Sequence, residues 1–409
     1  MKRKFNANII VFVFFAVFVA FGLYGDCLKS VKDTAKDSFE HLKSKDSTAV
    51  QSFIDGVDKV TTEQLSYHDM LMDINSVKYL LTNTRVVHKD DTVVARADSG
   101  SLIGVIPEMS DSQLNEVTEK IEGLKNKAEE SGAKFLYFAA PCKEMYEKAP
   151  SNVKTYALQN FDSFIQKLNE RKIPCCDLRA ALSESGIEQE NYFYITDHHW
   201  RPTTGFAMTG AICRELDSRY GFPYDAEKLK IENYTVNNYE KWFLGSKGKK
   251  VGTYFTPSGA DDFQIIIPKF DTLLHEDVPY SNVSRSGDFE TISYYKDHCR
   301  TKDWYGKNPY AAYSGGNFRL QIIKNELANN GKKVLLIRDS FACTVSPFLS
   351  MQTAELHIID IRDFVTYEGE RFSVFDYIDR NKFDYIIVLY SSVKEMTTSD
   401  SMYLFDVAF

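Results

Sequence analysis

The chain has 409 residues, of which 44% are hydrophobic and 26% charged, and this composition is ordinary for a globular protein. Its formal net charge of -8 excludes nucleic acid as the main partner, because binding to phosphates requires a basic surface. Its seven cysteines are scattered, odd in number and without a CxxC pair, so neither a disulfide framework nor a structural zinc site is expected.

The N-terminus has the pattern of a membrane anchor. Residues 5–25 carry no charge and are largely apolar, and a helix of about 20 such residues spans a bilayer. The basic residues 2–4 before it favour a cytoplasmic N-terminus, with the remainder of the chain outside the membrane. A cleaved signal peptide is the alternative, but no small-x-small cleavage site follows the apolar run. We therefore predict a cytoplasmic tail and an uncleaved transmembrane signal anchor over residues 1–27, in a single-pass protein of the cell membrane.

Residues 28–110 are predicted to form a membrane-proximal region. The first part is polar and helix-prone, with apolar residues at heptad-like positions, which indicates a helical stalk or, alternatively, a helix that binds a partner. Residues 85–102 alternate apolar and polar side chains around Asp90 and Asp91, and this pattern is typical of a β-hairpin.

From residue 111 onward, strand-like and helical segments alternate along the chain. The predicted strands cover residues 134–141, 173–178, 334–339, 355–360 and 385–390. The predicted helices cover residues 110–132, 152–171, 203–221, 315–333, 341–351 and 371–381. Continuously apolar strands that alternate with helices predict an α/β fold, with a mostly parallel sheet and helices on both faces. Residues 222–312 are rich in Tyr, Asn and Gly and are predicted to be an irregular or hairpin-rich insertion, with a strand at 263–268.

Two motifs contain residues suited to nucleophilic catalysis. Ser340 follows the strand at 334–339, at the start of a helix, where backbone dipoles favour a developing negative charge; a simple N-cap is the alternative role. In the motif DHHW, Asp197 and His199 are two residues apart, so in an extended segment both face one pocket while His198 points elsewhere. Because a serine nucleophile needs a base and the base needs an orienting acid, we interpret Ser340, His199 and Asp197 as a catalytic triad.

A metal site is the competing interpretation of the DHHW motif. Such a site needs three or four convergent ligands, and Asp197 and His199 would supply two of them. No two of the other histidines lie at a ligand spacing such as HxxxH. The sequence therefore predicts neither a metal nor another cofactor.

The order of these motifs resembles that of the SGNH-hydrolase-like proteins of cell-envelope O-acetylation, which include the alginate O-acetylation proteins and the bacterial DHHW family. The resemblance extends over about residues 110–395 and rests on the segments FLYFAAPCKEMYEKAP, IPCCDLRAAL, YFYITDHHWRPTTGFAMTGA, VLLIRDSFACTVSPFL, HIIDIRDF and DYIIVLYSS. It implies an SGNH-hydrolase-like (flavodoxin-like) domain over residues 111–409, with a permuted motif order in which Asp and His precede Ser. Position by position, it also implies Ser340 as nucleophile, His199 as general base and Asp197 as orienting acid.

The chain departs from the wider SGNH pattern at the residues that would stabilise an oxyanion. Arg338 stands where the pattern has a glycine before Asp339, and the two later blocks lack a clear Gly and Asn. Arg362 and Tyr390 in those blocks, and Lys143 in the Pro-x-Lys segment, are candidates for oxyanion or substrate binding. A structural role is the alternative for each of them.

Other residues near the motifs are predicted to support the site. His198 is expected to make a fixed hydrogen bond, Trp200 to pack under the loop, and Asp339 to stabilise the strand-to-helix turn. The aromatic residues between 294 and 313 predict either stacking on sugar rings or a small local core, and comprise Tyr294, Tyr295, Trp304, Tyr305, Tyr310 and Tyr313.

The resemblance implies a membrane-anchored, extracytoplasmic acyltransferase that O-acetylates a cell-envelope polysaccharide. It also implies a membrane-bound O-acyltransferase as the partner that supplies acetyl groups. A carbohydrate acetylesterase with the same triad is one alternative. A non-catalytic glycan-binding or partner protein of an acetylation complex is another, favoured by the missing oxyanion residues and opposed by the intact triad.

Overall fold

The computed structural model describes residues 68–89, 92–365, 371–391 and 403–406. The predicted membrane anchor, and the predicted stalk up to residue 67, lie outside the described residues. Within the described ranges, no helix combines the length and the apolar character that crossing a membrane requires. The chain divides into two units, Met1–Lys78 and Tyr79–Phe409, and the candidate site lies in the second.

The secondary structure of the described residues is α/β. The strands are β1 (Val86–Lys89), β2 (Thr92–Arg96), β3 (Leu102–Gly104), β4 (Lys134–Ala140), β5 (Cys175–Asp177), β6 (Tyr234–Phe243), β7 (Asp261–Pro268), β8 (Leu274–Val278), β9 (Val283–Gly287), β10 (Leu320–Asn325), β11 (Lys333–Arg338), β12 (Glu355–Ile359) and β13 (Tyr385–Ser391). The helices are α1 (His68–Leu81), α2 (Asp111–Glu130), α3 (Ala157–Glu170), α4 (Leu178–Ser183), α5 (Pro202–Tyr220), α6 (Ser246–Val251), α7 (Phe289–Ser293), α8 (Ser346–Ser350), α9 (Arg362–Val365) and α10 (Val374–Asn381).

The central sheet has eight strands in the order β5-β4-β13-β11-β12-β10-β8-β9. The five strands from β5 to β12 pair in parallel. The three strands β10, β8 and β9 extend this sheet by antiparallel pairing. The prediction of a mostly parallel sheet is therefore confirmed, and the antiparallel edge is an addition to it.

Successive residues of the central strands contribute to two separate cores. Phe135 and Tyr137 of β4 pack with apolar residues of α2, α3 and α10, whereas Leu136 and Phe138 pack with those of α4, α5 and α8. This alternation follows from the pleat of a strand, in which neighbouring side chains point to opposite faces. Helices therefore cover both faces of the sheet, as predicted.

The segment predicted as a helix over residues 315–333 contains strand β10, so this prediction is wrong. Leu320, Gln321 and Ile323 are buried, and the strand pairs with β12 on one side and β8 on the other. The two central isoleucines are β-branched and fit a paired strand, and pairing on both sides outweighs the helix-like spacing of the apolar residues.

The insertion at residues 222–312 is more ordered than the sequence indicates. It contains the antiparallel hairpin β6–β7, whose second strand covers the predicted strand at 263–268, and it supplies β8 and β9 to the central sheet. The predicted hairpin at 85–102 is present as β1 and β2, which pair antiparallel, and β3 adds a third strand to it. The tip of that hairpin, at residues 90–91, lies outside the described residues.

Candidate active site

The DHHW loop (residues 194–200) is closed by an antiparallel bridge between Phe193 and Trp200. Within it, Asp197 is buried, and its Oδ1 lies 2.5 Å from His199 Nδ1 and accepts a hydrogen bond from the His199 backbone N–H at 3.1 Å. Its Oδ2 accepts the backbone N–H of Ser246 at 2.5 Å. Burial opposes ionisation of Asp197, but the nearby imidazoles of His198 and His199 and these hydrogen bonds outweigh burial and hold its pKa well below the usual range. Asp197 is therefore a carboxylate that fixes the His199 ring.

His199 connects this carboxylate to Ser340. A carboxylate only accepts hydrogen bonds, so Nδ1 of His199 carries a proton, and Nε2 of the neutral ring is left as an acceptor. Nε2 lies 2.7 Å from Ser340 Oγ, although the two residues are 141 positions apart in the chain. The structure thus brings Asp197, His199 and Ser340 together in one hydrogen-bonded chain.

Ser340 is the first residue of a 3-10 turn, Ser340–Thr344, that directly follows β11. Asp339 caps this turn: its Oδ1 accepts the N–H of Phe341 at 2.9 Å, and its Oδ2 accepts the N–H of Ser391 in β13 at 2.7 Å. Because Ser340 begins the turn, its backbone N–H is not one of those that bond within the turn. Asp339 thus ties the turn that begins at Ser340 to strand β13, and this holds Ser340 at the end of the central sheet.

Aromatic side chains support the histidine and the turn. The ring of Tyr310 stacks on His199 with centroids 4.1 Å apart, and its hydroxyl donates to the carbonyl of Ser340 at 3.1 Å. Trp200 is fully buried, and its Nε1 donates to the carbonyl of Phe341 at 2.7 Å. Of the aromatic residues between 294 and 313, Tyr294, Tyr310 and Tyr313 are buried, which favours a local core for these three, and Tyr310 also borders the cleft.

The buried side chain of Lys143 binds the backbone of the DHHW loop. Its Nζ donates to three main-chain carbonyls, of Tyr194 at 2.8 Å, Ile195 at 3.0 Å and Asp197 at 2.5 Å. Burial, followed by the nearby ammonium of Lys247, lowers its pKa to about 7. Of the two roles left open for Lys143, these contacts favour the structural one: its Nζ is engaged by the loop backbone, and it is not among the residues that line the cleft at Ser340.

A second buried residue, Asp261 at the start of β7, binds the backbone of the same loop, and burial raises the pKa of its carboxyl group. Its carboxylate accepts the N–H of Ile195 at 2.7 Å, the N–H of Thr196 at 2.7 Å and the Thr196 hydroxyl at 2.6 Å. Gly245 lies so close to Asp197 that a Cβ at position 245 would overlap the Asp197 side chain. The sequence analysis singled out neither Asp261 nor Gly245. The acidic pair just before the apolar run FQIIIP was an available signal for Asp261.

The contacts of Arg362 and Tyr390 favour the structural alternative for both residues. The guanidinium of Arg362 forms a two-pronged contact with Asp360, through Nε at 2.9 Å and Nη2 at 2.6 Å. Tyr390 is buried, with its ring edge-on to Tyr137 and Tyr403. Neither residue lines the cleft, because one is held by a neighbouring acid and the other belongs to the core.

A cleft of about 410 Å³ opens over Ser340. His198 lies on its wall, with Nδ1 3.3 Å from the Ser246 hydroxyl and 3.3 Å from Asp197 Oδ1. Several polar lining residues come from the insertion and from the loop after it, and sequence reasoning did not single them out: Ser246, Lys249, Asn308 and Asn317.

Asp197, His198 and His199 are also the described residues that offer metal-ligand atoms within 4.8 Å of one another. However, His199 Nδ1 is protonated toward Asp197, and its Nε2 faces the Ser340 hydroxyl. A cation would have to displace these hydrogen bonds, and it would have only three adjacent residues as protein ligands. The arrangement therefore suits proton transfer better than metal binding.

The α/β fold of this chain is similar to that of SGNH-hydrolase-like proteins. Residues 105–238 match the family model of the SGNH hydrolase-like domain of the acetyltransferase AlgX. This match, with the structural similarities that follow, confirms the resemblance inferred from the sequence motifs.

Among solved structures, the chain is similar to PatB1 of Bacillus cereus, at 19% identity and a TM-score of 0.61, over 77% of this chain and 100% of that chain. A second PatB1 structure, with a sulfonyl adduct, is similar at 18% identity and a TM-score of 0.61, over 78% of this chain and 100% of that chain. A DHHW family protein from Eubacterium siraeum is similar at 17% identity and a TM-score of 0.57, over 78% of this chain and 96% of that chain. At these identities the likeness establishes the fold alone. No curated protein is significantly similar in sequence.

Proposed function

We propose that this protein is a serine acyltransferase that O-acetylates a cell-envelope polysaccharide. The observation that carries the proposal is the hydrogen-bonded chain in which His199 Nε2 lies 2.7 Å from Ser340 Oγ and Nδ1 lies 2.5 Å from Asp197. The family description of an acetyltransferase supports acyl transfer as the reaction.

The reaction proceeds in two steps through an acetyl-serine. Ser340 Oγ attacks the carbonyl carbon of an acetyl donor while His199 Nε2 takes the hydroxyl proton, and this proton then passes to the leaving group. A sugar hydroxyl attacks the acetyl-serine in the second step, gives its proton to His199, and Ser340 regains a proton as it leaves. Asp197 keeps the imidazole in the required tautomer and stabilises the imidazolium formed in each step.

The proposed setting of the reaction is the outer side of the cytoplasmic membrane. Residues 5–25 would anchor the chain as a single helix, with the C-terminal domain extracytoplasmic. Acetyl groups would then need to cross the membrane, and a membrane-bound O-acyltransferase is the class of partner that would supply them. The polysaccharide is the acceptor in this arrangement.

The same triad serves a carbohydrate acetylesterase, in which water replaces the sugar hydroxyl. The two activities differ only in the acceptor, so a transfer assay separates them. A non-catalytic glycan-binding protein has no need for a histidine placed between a buried carboxylate and a serine hydroxyl, and that geometry favours an enzyme.

Covalent labelling tests the nucleophile directly. PatB1 has been solved with a sulfonyl adduct, and we expect phenylmethylsulfonyl fluoride to sulfonylate Ser340 of the full-length protein, with release of fluoride. Peptide mass spectrometry should find one added sulfonyl group on Ser340 and none in Ser340→Ala. The exposed Ser183, whose hydroxyl donates to the carbonyl of Ala180, gives the matched control: Ser183→Ala should be labelled like the wild type. Labelling that persists in Ser340→Ala would remove Ser340 as the nucleophile.

Transfer is tested with a chromogenic acetate as donor and a purified envelope polysaccharide as acceptor. A glycan that gains acetyl groups in the presence of wild type, but not of Ser340→Ala, supports the acyltransferase. A glycan that only loses acetyl groups supports the esterase. Absence of both reactions, together with an unlabelled Ser340, would contradict both enzymatic functions.

A further inference from the structure

An asparagine reaches the cleft from a loop that the motif pattern does not include. Asn317 is exposed and lines the cleft together with Ser340. The later blocks of the sequence lack the Gly and Asn that ordinary SGNH hydrolases use at the oxyanion, so an asparagine at this position can fill that role.

The loop that presents Asn317 has an unusual backbone. Ser314, Gly315 and Gly316 have successive φ angles of 55°, 67° and 83°. All three lie in the left-handed region, which residues other than glycine rarely adopt. Ser314 is fully buried in this conformation, with its N–H donating to the carbonyl of Ser293 at 3.0 Å and its hydroxyl 3.0 Å from that of Ser346. The surrounding structure therefore imposes the backbone course that leads to Asn317.

Arg338 determines how the Asn317 amide is oriented. Its buried guanidinium donates from Nη1 to Asn317 Oδ1 at 2.6 Å and from Nη2 to the carbonyl of Gly316 at 2.6 Å, and it lies 3.6 Å from Asp360 Oδ2. A guanidinium only donates hydrogen bonds, so the amide atom that it contacts is the oxygen, and the NH₂ group is the opposite end of the amide. Within the described ranges, no hydrogen bond from Asn317 Nδ2 is found.

We propose that Asn317 is a catalytic residue that donates an N–H of Nδ2 to the oxyanion, and that Arg338 is the residue that positions it. The inference rests on the proposed function. When Ser340 Oγ forms its bond to the acyl carbon, the carbonyl π electrons move to oxygen, and the serine proton goes to His199. Asn317 and the backbone N–H of Ser340 then donate to the resulting negative oxygen, and the charge returns to the carbonyl when the leaving group departs.

This assignment connects two departures from the SGNH pattern. Arg338 replaces the glycine before Asp339, and the later blocks lack the expected Gly and Asn. The guanidinium at position 338 binds an asparagine from the loop at residues 314–317, which lies earlier in the chain. Arg338, the first departure, therefore orients Asn317, whose amide takes the place of the asparagine that is missing in the second.

Two substitutions of Asn317 separate catalysis from structure in the full-length protein. Asn317→Ala removes the amide, and kcat for a chromogenic acetate should fall by about 10²–10³-fold while KM changes by less than about twofold. Asn317→Asp retains an oxygen to accept from Arg338 but has no N–H to donate. It should lose as much kcat as Asn317→Ala while its thermal midpoint stays at or above that of the wild type.

A control substitution and a double-mutant comparison complete the experiment. Asn329, which is exposed in the loop between β10 and β11, gives Asn329→Ala, which should leave kcat unchanged. Arg338→Lys should lower kcat in the wild-type background but not further in Asn317→Ala, because a positioning residue has no effect once the group that it positions is absent.

The outcomes distinguish this inference from the proposed function. If Asn317→Asp retains wild-type kcat while Ser340→Ala is inactive, the triad stands and Asn317 only serves as an acceptor for Arg338, which overturns the inference. If the wild type has no activity and Ser340 is not sulfonylated, the proposed function fails and the inference fails with it. A fall in kcat in both Asn317 variants at unchanged KM supports the inference.

Discussion

The two halves of the candidate site are held in different ways. Ser340 stands at the end of β11, and the parallel sheet with the Asp339 cap fixes it. His199 lies in an irregular loop, whose backbone is bound by the side chains of two buried residues, Lys143 and Asp261, from distant parts of the chain. Regular secondary structure thus positions the nucleophile, whereas hydrogen bonds with buried polar side chains position the base.

This difference predicts how each half responds to substitution. A substitution at the Ser340 half should affect chemistry with little effect on folding, because the sheet does not depend on the hydroxyl. Substitutions of Lys143 or Asp261 should affect both catalysis and folding. Removing either side chain leaves main-chain groups of the DHHW loop without hydrogen bonds where water has no access.

The largest effect on catalysis short of removing the nucleophile is expected from Asp197→Asn. The amide would present an N–H or an oxygen to His199 without fixing the proton on Nδ1, and it would not stabilise an imidazolium. We expect kcat/KM for a chromogenic acetate to fall by about 10³–10⁴-fold. A fall of less than tenfold would mean that the carboxylate does not orient the base, and far-ultraviolet circular dichroism should verify that the variant is folded.

Lys143→Met should produce the largest loss of stability. It removes the donor to three carbonyls of the DHHW loop, and urea unfolding should report a free energy of unfolding lower by about 3–5 kcal/mol, with most of the activity lost. Lys148 is a matched control, since its side chain is 84% exposed. Lys148→Met should change the free energy of unfolding by less than about 0.5 kcal/mol. Equal effects of the two substitutions would contradict a buried structural role for Lys143.

Gly245→Ala is expected to have an intermediate effect. The added methyl group overlaps Asp197, and accommodating it should cost about 1–3 kcal/mol and lower kcat by displacing the carboxylate. Gly123 lies within α2, and a Cβ added there would meet no atom within 4 Å outside its own stretch of helix. Gly123→Ala should therefore stabilise the protein by about 0.5–1 kcal/mol. A neutral Gly245→Ala would indicate that the loop can move away from position 245 without loss.

The smallest effect is expected from acid, through Glu144. This buried carboxylate accepts the N–H of Gly104 at 2.8 Å and lies 3.4 Å from Lys247 Nζ. Burial opposes its ionisation, but these two groups outweigh burial and lower its pKa to about 2. Because the pKa is lower in the folded state, its stabilising contribution is complete above an ordinary value of about 4.5 and is lost as the pH falls from there toward 2. Thermal midpoints measured from pH 6 to pH 3 should fall less steeply in Glu144→Gln than in the wild type.

The contrast between regular strands and segments held by distant residues also explains how much of the fold can be predicted from the sequence. Strands β4, β11 and β13 contain continuous runs of at least four apolar residues, so a local pattern is sufficient to identify them. In contrast, β10 has helix-like apolar spacing, and only its pairing with β8 and β12 decides its conformation. Local sequence does not encode partners that lie far away in the chain.

The candidate site follows the same rule. Asp197, His199 and Ser340 lie in short motifs whose spacing already indicates a shared chemistry. Lys143 was identified as a candidate, but its three carbonyl partners become evident only from the folded loop. Asn317 was missed because it stands in a segment predicted as a helix, and its orientation depends on Arg338.

The 141-residue separation between His199 and Ser340 has a consequence for biosynthesis. The serine leaves the ribosome long after the histidine, and their contact closes a long loop whose entropy must be offset by the rest of the fold. A chain that stops short of β13 lacks the strand beside β11 and the N–H of Ser391 that binds Asp339. Unfinished chains should therefore remain chemically inert, and reactivity toward a sulfonyl fluoride should report the completion of folding.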